Sequence, residues 1–187
     1  SIGKDYADNY LTNLTWGANS KFIYVAQLNR DQNHMQLVKY DANNGKKLGV
    51  LIEEKNSKWV EPEHPLYFIE DKDNEFLWLS EKDGFMNIYH YNNEGKLIKQ
   101  VTNNKWVTTA ILGYNKTTNS IIYSGTGNDP RNIHCFSANL TSGITKKITS
   151  EDGIHRCQLS PNGKYIIDIH STIENGPIVN IIDTKKL

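Results

Sequence analysis

The stretch that decides the fold is Met86-Asn87-Ile88-Tyr89-His90-Tyr91-Asn92-Asn93-Glu94-Gly95-Lys96-Leu97-Ile98-Lys99-Gln100-Val101. Two runs rich in β-formers flank a cluster of turn residues, the pattern of an antiparallel hairpin. The same arrangement stands upstream. There Met35-Gln36-Leu37-Val38-Lys39-Tyr40 runs into Asp41-Ala42-Asn43-Asn44-Gly45 and returns through Lys47-Leu48-Gly49-Val50-Leu51-Ile52. It stands again downstream, where Asn132-Ile133-His134-Cys135-Phe136-Ser137 reaches Asn139-Leu140-Thr141-Ser142-Gly143 and returns through Ile144-Thr145-Lys146-Lys147-Ile148-Thr149. The turn glycines Gly45, Gly95 and Gly143 recur at intervals of about 50 and 48 residues.

Working outward, each hairpin is preceded by further strand-like runs. They are Phe22-Ile23-Tyr24-Val25-Ala26-Gln27-Leu28 before the first, and Pro65-Leu66-Tyr67-Phe68-Ile69 and Glu75-Phe76-Leu77-Trp78-Leu79-Ser80 before the second. Thr109-Ala110-Ile111-Leu112-Gly113-Tyr114 and Ser120-Ile121-Ile122-Tyr123-Ser124 precede the third. A fourth set opens at His155-Arg156-Cys157-Gln158-Leu159-Ser160 and turns at Pro161-Asn162-Gly163. It continues through Tyr165-Ile166-Ile167-Asp168-Ile169 and Ile178-Val179-Asn180-Ile181-Ile182-Asp183. Four strands in every ~40–50 residues is the signature of a β-propeller blade, a unit that must stack on its neighbours to bury its faces. A sandwich or barrel would also supply short strands, but not four-strand sets that repeat with the same turn in the same place. The expectation is an all-β chain: a β-propeller fragment of about four blades of four-stranded antiparallel sheets, over about 13–55, 65–104, 107–150 and 154–187, the last incomplete. The first set starts near Asn13-Leu14-Thr15-Trp16 and the fourth stops before a closing strand, so the chain reads as a part of something longer.

Composition agrees. Among 187 residues there are 6 Ala against 20 Ile, 10 Tyr and 4 Trp, a balance that favours strands over helices. The 22 Asn cluster with Gly, Asp and Ser, which is turn chemistry. Lys plus Arg and Asp plus Glu are both 21, so the formal charge is zero, and a basic footprint for nucleic acid is absent. No apolar run approaches the ~20 residues of a membrane helix, and Ser1-Ile2-Gly3-Lys4-Asp5 does not read as a signal peptide. The cysteines, Cys135 and Cys157, lack the Cys-x-x-Cys spacing of a structural zinc site. They read as two free, half-buried thiols. The other reading is a disulfide between neighbouring strands, which requires an oxidising compartment.

An ordered series of motifs then carries a resemblance. It comprises Thr15-Trp16, Lys58-Trp59-Val60-Glu61-Pro62, Phe76-Leu77-Trp78-Leu79-Ser80-Glu81-Lys82-Asp83-Gly84, Asn87-Ile88-Tyr89, Gln100-Val101-Thr102 before Trp106-Val107, and His155-Arg156 leading to Leu159-Ser160-Pro161-Asn162-Gly163. In this order and at these distances, from about Thr12 to the C-terminus, the chain resembles the N-terminal propeller of dipeptidyl peptidase IV-like serine peptidases of the prolyl oligopeptidase clan, especially bacterial ones. The resemblance implies a parent exopeptidase, periplasmic or extracellular, that removes Xaa-Pro or Xaa-Ala dipeptides from peptide N-termini. In it the propeller would gate and size peptides for a C-terminal α/β-hydrolase domain of the same chain, which holds the Ser-Asp-His triad. No Gly-x-Ser-x-Gly elbow occurs here, and Ser124-Gly125-Thr126-Gly127 has the wrong spacing, so this chain by itself is not expected to be an enzyme.

The family's paired glutamates, which hold the substrate's amino group, would lie upstream of Ser1. Glu53-Glu54 follows a closing strand, at the wrong place in the series, and does not take that role. In mammalian relatives the loop after a Trp-Val pair carries a Phe and an Arg that reach toward the active site. Here Trp59-Val60 is followed by Glu61-Pro62-Glu63-His64-Pro65, with neither. Trp59 and Glu61 are the substrate-facing candidates that remain, and Trp59 also reads as a packed residue at a junction between blades.

The other chemistry-bearing residues read as structure. The six histidines show no His-x-His or His-x-x-x-His spacing. His90 and His134 read as rim or face residues of their strands, and His155 as a structural hydrogen-bonding group. Asp83-Gly84, Asn128-Asp129-Pro130 and Asn162-Gly163 are turns without the spacing of a calcium loop, and Gly125-Thr126-Gly127 opens no helix that could hold a phosphate. No metal and no cofactor is expected. The expected partners are the hydrolase domain and a peptide substrate, with self-association of the isolated chain through bare blade faces: that of Phe22-Ile23-Tyr24-Val25-Ala26-Gln27-Leu28 at one end, and those of the 165–169 and 178–182 strands at the other. The rival function is a free-standing propeller module that binds a protein or glycan.

Overall fold

The structure, a computed structural model, describes residues 8–17 and 20–186; the 1–5 stretch read above for a signal lies outside them. Among the described residues, fifteen strands build four antiparallel sheets, each with its strands side by side in chain order. The first holds β1 (Asn9–Trp16), β2 (Phe22–Asn29), β3 (His34–Asp41) and β4 (Lys47–Lys55). The second holds β5 (Tyr67–Phe68), β6 (Glu75–Ser80), β7 (Asn87–Asn92) and β8 (Leu97–Gln100). The third holds β9 (Thr108–Asn115), β10 (Ser120–Gly125), β11 (His134–Asn139) and β12 (Thr145–Lys147). The fourth has three strands, β13 (Ile154–Leu159), β14 (Tyr165–Ser171) and β15 (Ile178–Asp183), followed by a single 3-10 turn at Thr184–Lys186. The all-β class and the incomplete last sheet are as the sequence implies. No helix among the described residues is long and apolar enough to cross a membrane.

The recurring turn is built the same way three times. Asp41, Asn92 and Asn139 each turn a side-chain oxygen onto backbone N–H groups ahead. Asp41 Oδ1 accepts from Asn43 N at 2.8 Å, Asn92 Oδ1 from Lys96 N at 2.8 Å, and Asn139 Oδ1 from Ser142 N at 2.9 Å. The glycine then takes a left-handed backbone, φ +72° at Gly45, +83° at Gly95 and +75° at Gly143, which an L side chain resists.

By its internal contacts the chain forms two compact units, residues 1–82 with 89–99, and residues 83–88 with 100–187. In the first unit, alternation along β2 sends Tyr24, Ala26 and Leu28 to one face, where Met35, Leu37 and Ile52 of the same sheet meet Leu66, Phe76, Trp78, Tyr89 and Tyr91 of the second. Phe68 links the two, with its ring 5.3 Å from Tyr24 and 6.3 Å from Phe76, and Phe76 stacks on Tyr91 at 5.6 Å. Each such side chain, fully buried, contributes about 1.5–3 kcal/mol. Val25 points to the other face and packs with Val38, Tyr40 and Ile23.

The expectation of a bare face on β2 is therefore corrected: Tyr24 to Leu28 are all buried. The strand is apolar on both faces because both are covered. The exposed apolar groups of this sheet lie on the outer strands instead, Tyr10, Leu11, Leu14 and Trp16 on β1 and Leu48 and Val50 on β4. Strand β1 also begins earlier than Asn13. A bulge between Thr12 and Thr15, with Asn13 at φ +52°, breaks the alternation that would have revealed residues 9–12.

In the second unit Ile122 and Cys135 of the third sheet pack with Ile166 of the fourth, and Leu112, Ile148, Cys157, Leu159 and Ile182 complete the cluster. Gly113 on β9 leaves the space that Leu159 fills: a Cβ there would lie 2.7 Å from Leu159 Cδ2. A parallel bridge joins Ile133 to Ile154, with His155 N donating to Ile133 O at 2.9 Å. The far side of the fourth sheet is open: Tyr165, Ile167, Ile169, Val179 and Ile181 share that face and are all exposed.

A methyl group at Gly95 would land on the Leu51 carbonyl, whereas one at Gly45 meets nothing within 4 Å. Both alanine variants carry the left-handed backbone penalty of about 1–2 kcal/mol. Gly95→Ala is expected to cost at least ~2 kcal/mol more than Gly45→Ala in urea unfolding, and equal costs would contradict the close approach. The open apolar face of the fourth sheet is a contiguous exposed patch of the kind that drives association. Sedimentation equilibrium of the isolated chain at micromolar concentration is expected to give a mass above 21.4 kDa; a clean monomer would contradict it.

Candidate functional site

The loop between β4 and β5 carries both sequence candidates. Its backbone is pinned to the first sheet: Asn56 N donates to Asn33 O at 3.0 Å, Val60 N to Gln32 O at 2.7 Å, and Asn13 Nδ2 to Pro62 O at 2.6 Å. Val60 packs against the core of the first unit. Its neighbours on either side, Trp59 and Glu61, are exposed. Trp59 is 54% accessible, with Lys58 Nζ 6.0 Å from its ring centre, so it is not a packed junction residue. Glu61 lines an open cleft of about 430 Å³ with Tyr10, Leu28, Val60, Pro62 and Glu63, and Trp59 is not among the lining residues.

The negative charge of this loop reaches beyond it. Glu81, at the end of β6, has its carboxyl pushed up, first by burial and then by Glu61 and Glu63. Glu81 acts in turn on Glu54, whose Oε1 accepts from Trp78 Nε1 at 3.1 Å. Burial raises the Glu54 carboxyl, against hydrogen bonds from Ser80 and Trp78 and the charge of Lys82. Lys82 Nζ donates to Tyr91 OH at 3.0 Å and sits 3.9 Å from the centre of the Tyr89 ring. Glu53, next in sequence, faces the opposite way, as successive strand residues must. It bonds His34, Gln36 and Lys55 in the open, and its pKa falls to about 2. The Glu53-Glu54 pair is split across the two faces of β4 and forms no twin-carboxylate clamp.

The second unit gathers three histidines that no sequence spacing announced. The His134 and His155 ring centres are 5.3 Å apart, and His155 stacks on His170 at 4.3 Å, 8° from parallel. All three are buried, as is His90, which bonds Glu75 Oε2 at 2.9 Å; none is a surface rim residue. His155 Nδ1 meets Asp168 Oδ2 at 2.9 Å and Nε2 meets the Glu151 carbonyl at 2.9 Å. This resembles the acid–imidazole half of a triad, but the outer nitrogen is occupied by a backbone acceptor and has no free lone pair to activate a nucleophile. Ser124, the serine of the Gly-rich stretch, shares its hydroxyl with Thr109 Oγ1 at 2.8 Å. Nearby, Trp106 stacks on Phe136 at 4.5 Å, beside a cavity of about 240 Å³ that His134, Asp129, Lys147 and Asp152 also line. Among the described residues, no group of three or more His, Cys, Asp and Glu side chains is placed to hold a metal ion.

Comparison with known proteins gives these geometries a context. The family model described as "Dipeptidyl peptidase IV (DPP IV) N-terminal region" matches residues 2–177. A crystal structure of a candidate dipeptidyl aminopeptidase IV from Bacteroides ovatus superposes with a TM-score of 0.87 at 29% identity, over 95% of this chain and 28% of that one. Dipeptidyl peptidase 4 of Porphyromonas gingivalis superposes with a TM-score of 0.85 at 22% identity, over 96% of this chain and 25% of that one, a likeness of fold. The chain thus spans about a quarter of the length of either protein.

The buried histidines set a pH dependence. His134 is held below its ordinary value of 6.5 by burial first, then by Lys147 and the neighbouring His155 and His170, with Asp152 opposing. His90 is lowered by burial against Glu75, and His64 by burial against Glu63. A histidine held low stays neutral in the fold and takes up a proton on unfolding. The stability it contributes is therefore complete above the unfolded value and is lost as pH falls below it. Glu54 and Glu81, held high, act in the opposite sense, losing stability as pH rises above about 4.5. The contribution of His134 is isolated by difference: the melting temperature of His134→Asn is expected to fall less than wild type between pH 7.5 and 5.5. A difference independent of pH would contradict the assignment.

Proposed function

The chain belongs to the family of dipeptidyl peptidase IV N-terminal regions, and from that premise we propose that it is the non-catalytic propeller segment of a serine-type exopeptidase that removes Xaa-Pro and Xaa-Ala dipeptides from peptide N-termini. In this reading each sheet is one blade, and the blades admit and size peptides for a C-terminal α/β-hydrolase domain of the same polypeptide. The parent works in the periplasm or outside the cell. The single observation that carries the reading is the family match along residues 2–177 on a chain of four up-and-down sheets.

The polar groups of the chain support a non-catalytic part. His155 has both ring nitrogens engaged, and Ser124 is bonded to a threonine. Trp59 and Glu61 are the peptide-facing groups in this proposal. They are exposed on a loop fixed by backbone bonds at both ends of its first half, and Glu61 adds its charge to those of Glu63 and Glu81. A rigid loop with an accessible indole and a negative field suits the cationic, apolar start of a peptide.

The experiment compares the isolated chain with the longer parent polypeptide on Gly-Pro and Ala-Pro chromogenic amides. The parent is expected to release dipeptides in a reaction blocked by a serine-directed inhibitor, and the isolated chain to give no turnover. In the parent, Trp59→Ala and Glu61→Gln are expected to raise KM about three- to tenfold with kcat within twofold, the signature of lost ground-state binding. A parent silent toward these amides, or inhibitor-sensitive turnover by the isolated chain after repurification, would contradict the proposal.

A further inference from the structure

The two cysteines come from different sheets of the second unit. Cys135 lies on β11 opposite Ser124 of β10, and Cys157 on β13 opposite Asp168 of β14. Both belong to the cluster of Ile122, Ile166 and Leu159 that the third and fourth sheets share. Both side chains therefore point into the space between the sheets, where Cys135 is the first of the groups that act on the Cys157 thiol. Both are free thiols; Cys135 is fully buried and Cys157 half-buried, so Cys157 is the one nearer to solvent. The Cys157 thiol also donates to Asp168 Oδ1 at 3.5 Å, and Asp168 in turn accepts from His155.

We propose that Cys135 and Cys157 are the halves of an inter-sheet disulfide, formed when the folded chain meets a small disulfide oxidant such as oxidised glutathione. The steps balance as ordinary thiol–disulfide exchange. Cys157, the less buried of the two, loses its proton by way of Asp168 and attacks the oxidant, forming a mixed disulfide and releasing one glutathione thiolate. Cys135 then attacks the Cys157 sulfur, forming the protein S–S bond and expelling the second glutathione. The two thiol protons end on the two released glutathiones, and the oxidant takes up the two electrons.

The surroundings make this a structural bond and not a rapid switch. Hydrogen bonding to Cys135, burial and the nearby Asp168 carboxylate push the Cys157 thiol up. Thiolate is therefore scarce, and as a leaving group this sulfur departs slowly, which retards formation and reduction alike. The bond would close a loop of about 22 residues and tie the third sheet to the fourth, restricting the unfolded chain.

The test exposes the folded 187-residue chain to oxidised glutathione, quenches it in acid, and alkylates it with N-ethylmaleimide in guanidinium before measuring the intact mass. The chain is expected to be two hydrogens lighter and to carry no maleimide. Proteolysis should yield one linked peptide pair containing Cys135 and Cys157, and the melting temperature should rise by roughly 5 °C or more. Cys135→Ala should instead retain one glutathione on Cys157. Two maleimides on the wild-type chain, a product arrested at glutathionylated Cys157, or links formed only between chains would overturn the proposal. The wild-type mass alone decides, so the outcome stands even where a substituted chain fails to fold.

Discussion

Phe76 and Trp78 of β6 reach out of their own sheet into the face presented by Tyr24, Leu28, Met35 and Leu37 of the first. That interlock is the constraint on which the rest of the first unit depends. A sheet of four short strands has two faces and too few residues to bury either by itself, so its inner strands are completed only by a neighbouring sheet. The second unit repeats the arrangement with smaller groups, where Ile122 and Cys135 meet Ile166 and Gly113 gives way to Leu159. Leaving these apolar side chains in water would cost about 1.5–3 kcal/mol apiece, more in sum than the few kcal/mol by which a domain is stable.

Much of this was legible in the sequence, because strands and turns leave local marks. Asp41, Asn92 and Asn139 each set up a turn that ends in a glycine with positive φ, and all three turns were visible as residue clusters. The continuous apolar character of Phe22 to Leu28 marked a strand, but not that both of its faces are covered; periodicity does not say what stands opposite a face. The bulge at Asn13 concealed the first half of β1, since one residue out of phase moves every following side chain to the other face.

The site was legible only in part. Glu53 and Glu54 are adjacent in the sequence and opposed in space, a consequence of the strand period that needs only the strand to be known. The grouping of His134, His155 and His170 had no local signal, because it draws on three strands brought together by the packing of two sheets. Cys135 and Cys157 are brought into one cluster in the same way. In each of these clusters the polar groups mainly bond one another, and what the chain offers outward is the shape and charge of its loops, chiefly the exposed Trp59 and Glu61.

The claim that neighbouring sheets complete one another is tested most directly by hydrogen exchange on a Phe76→Ala variant. Loss of a buried phenylalanine costs about 3–5 kcal/mol. If the interlock is what holds the unit, protection should fall not only along β6 and β7 but also on the amides of β2 and β3, which belong to the other sheet and pair with the strands of that sheet. Loss confined to the second sheet, with β2 and β3 protected as in the wild type, would show that the first sheet stands without its neighbour and would contradict the account.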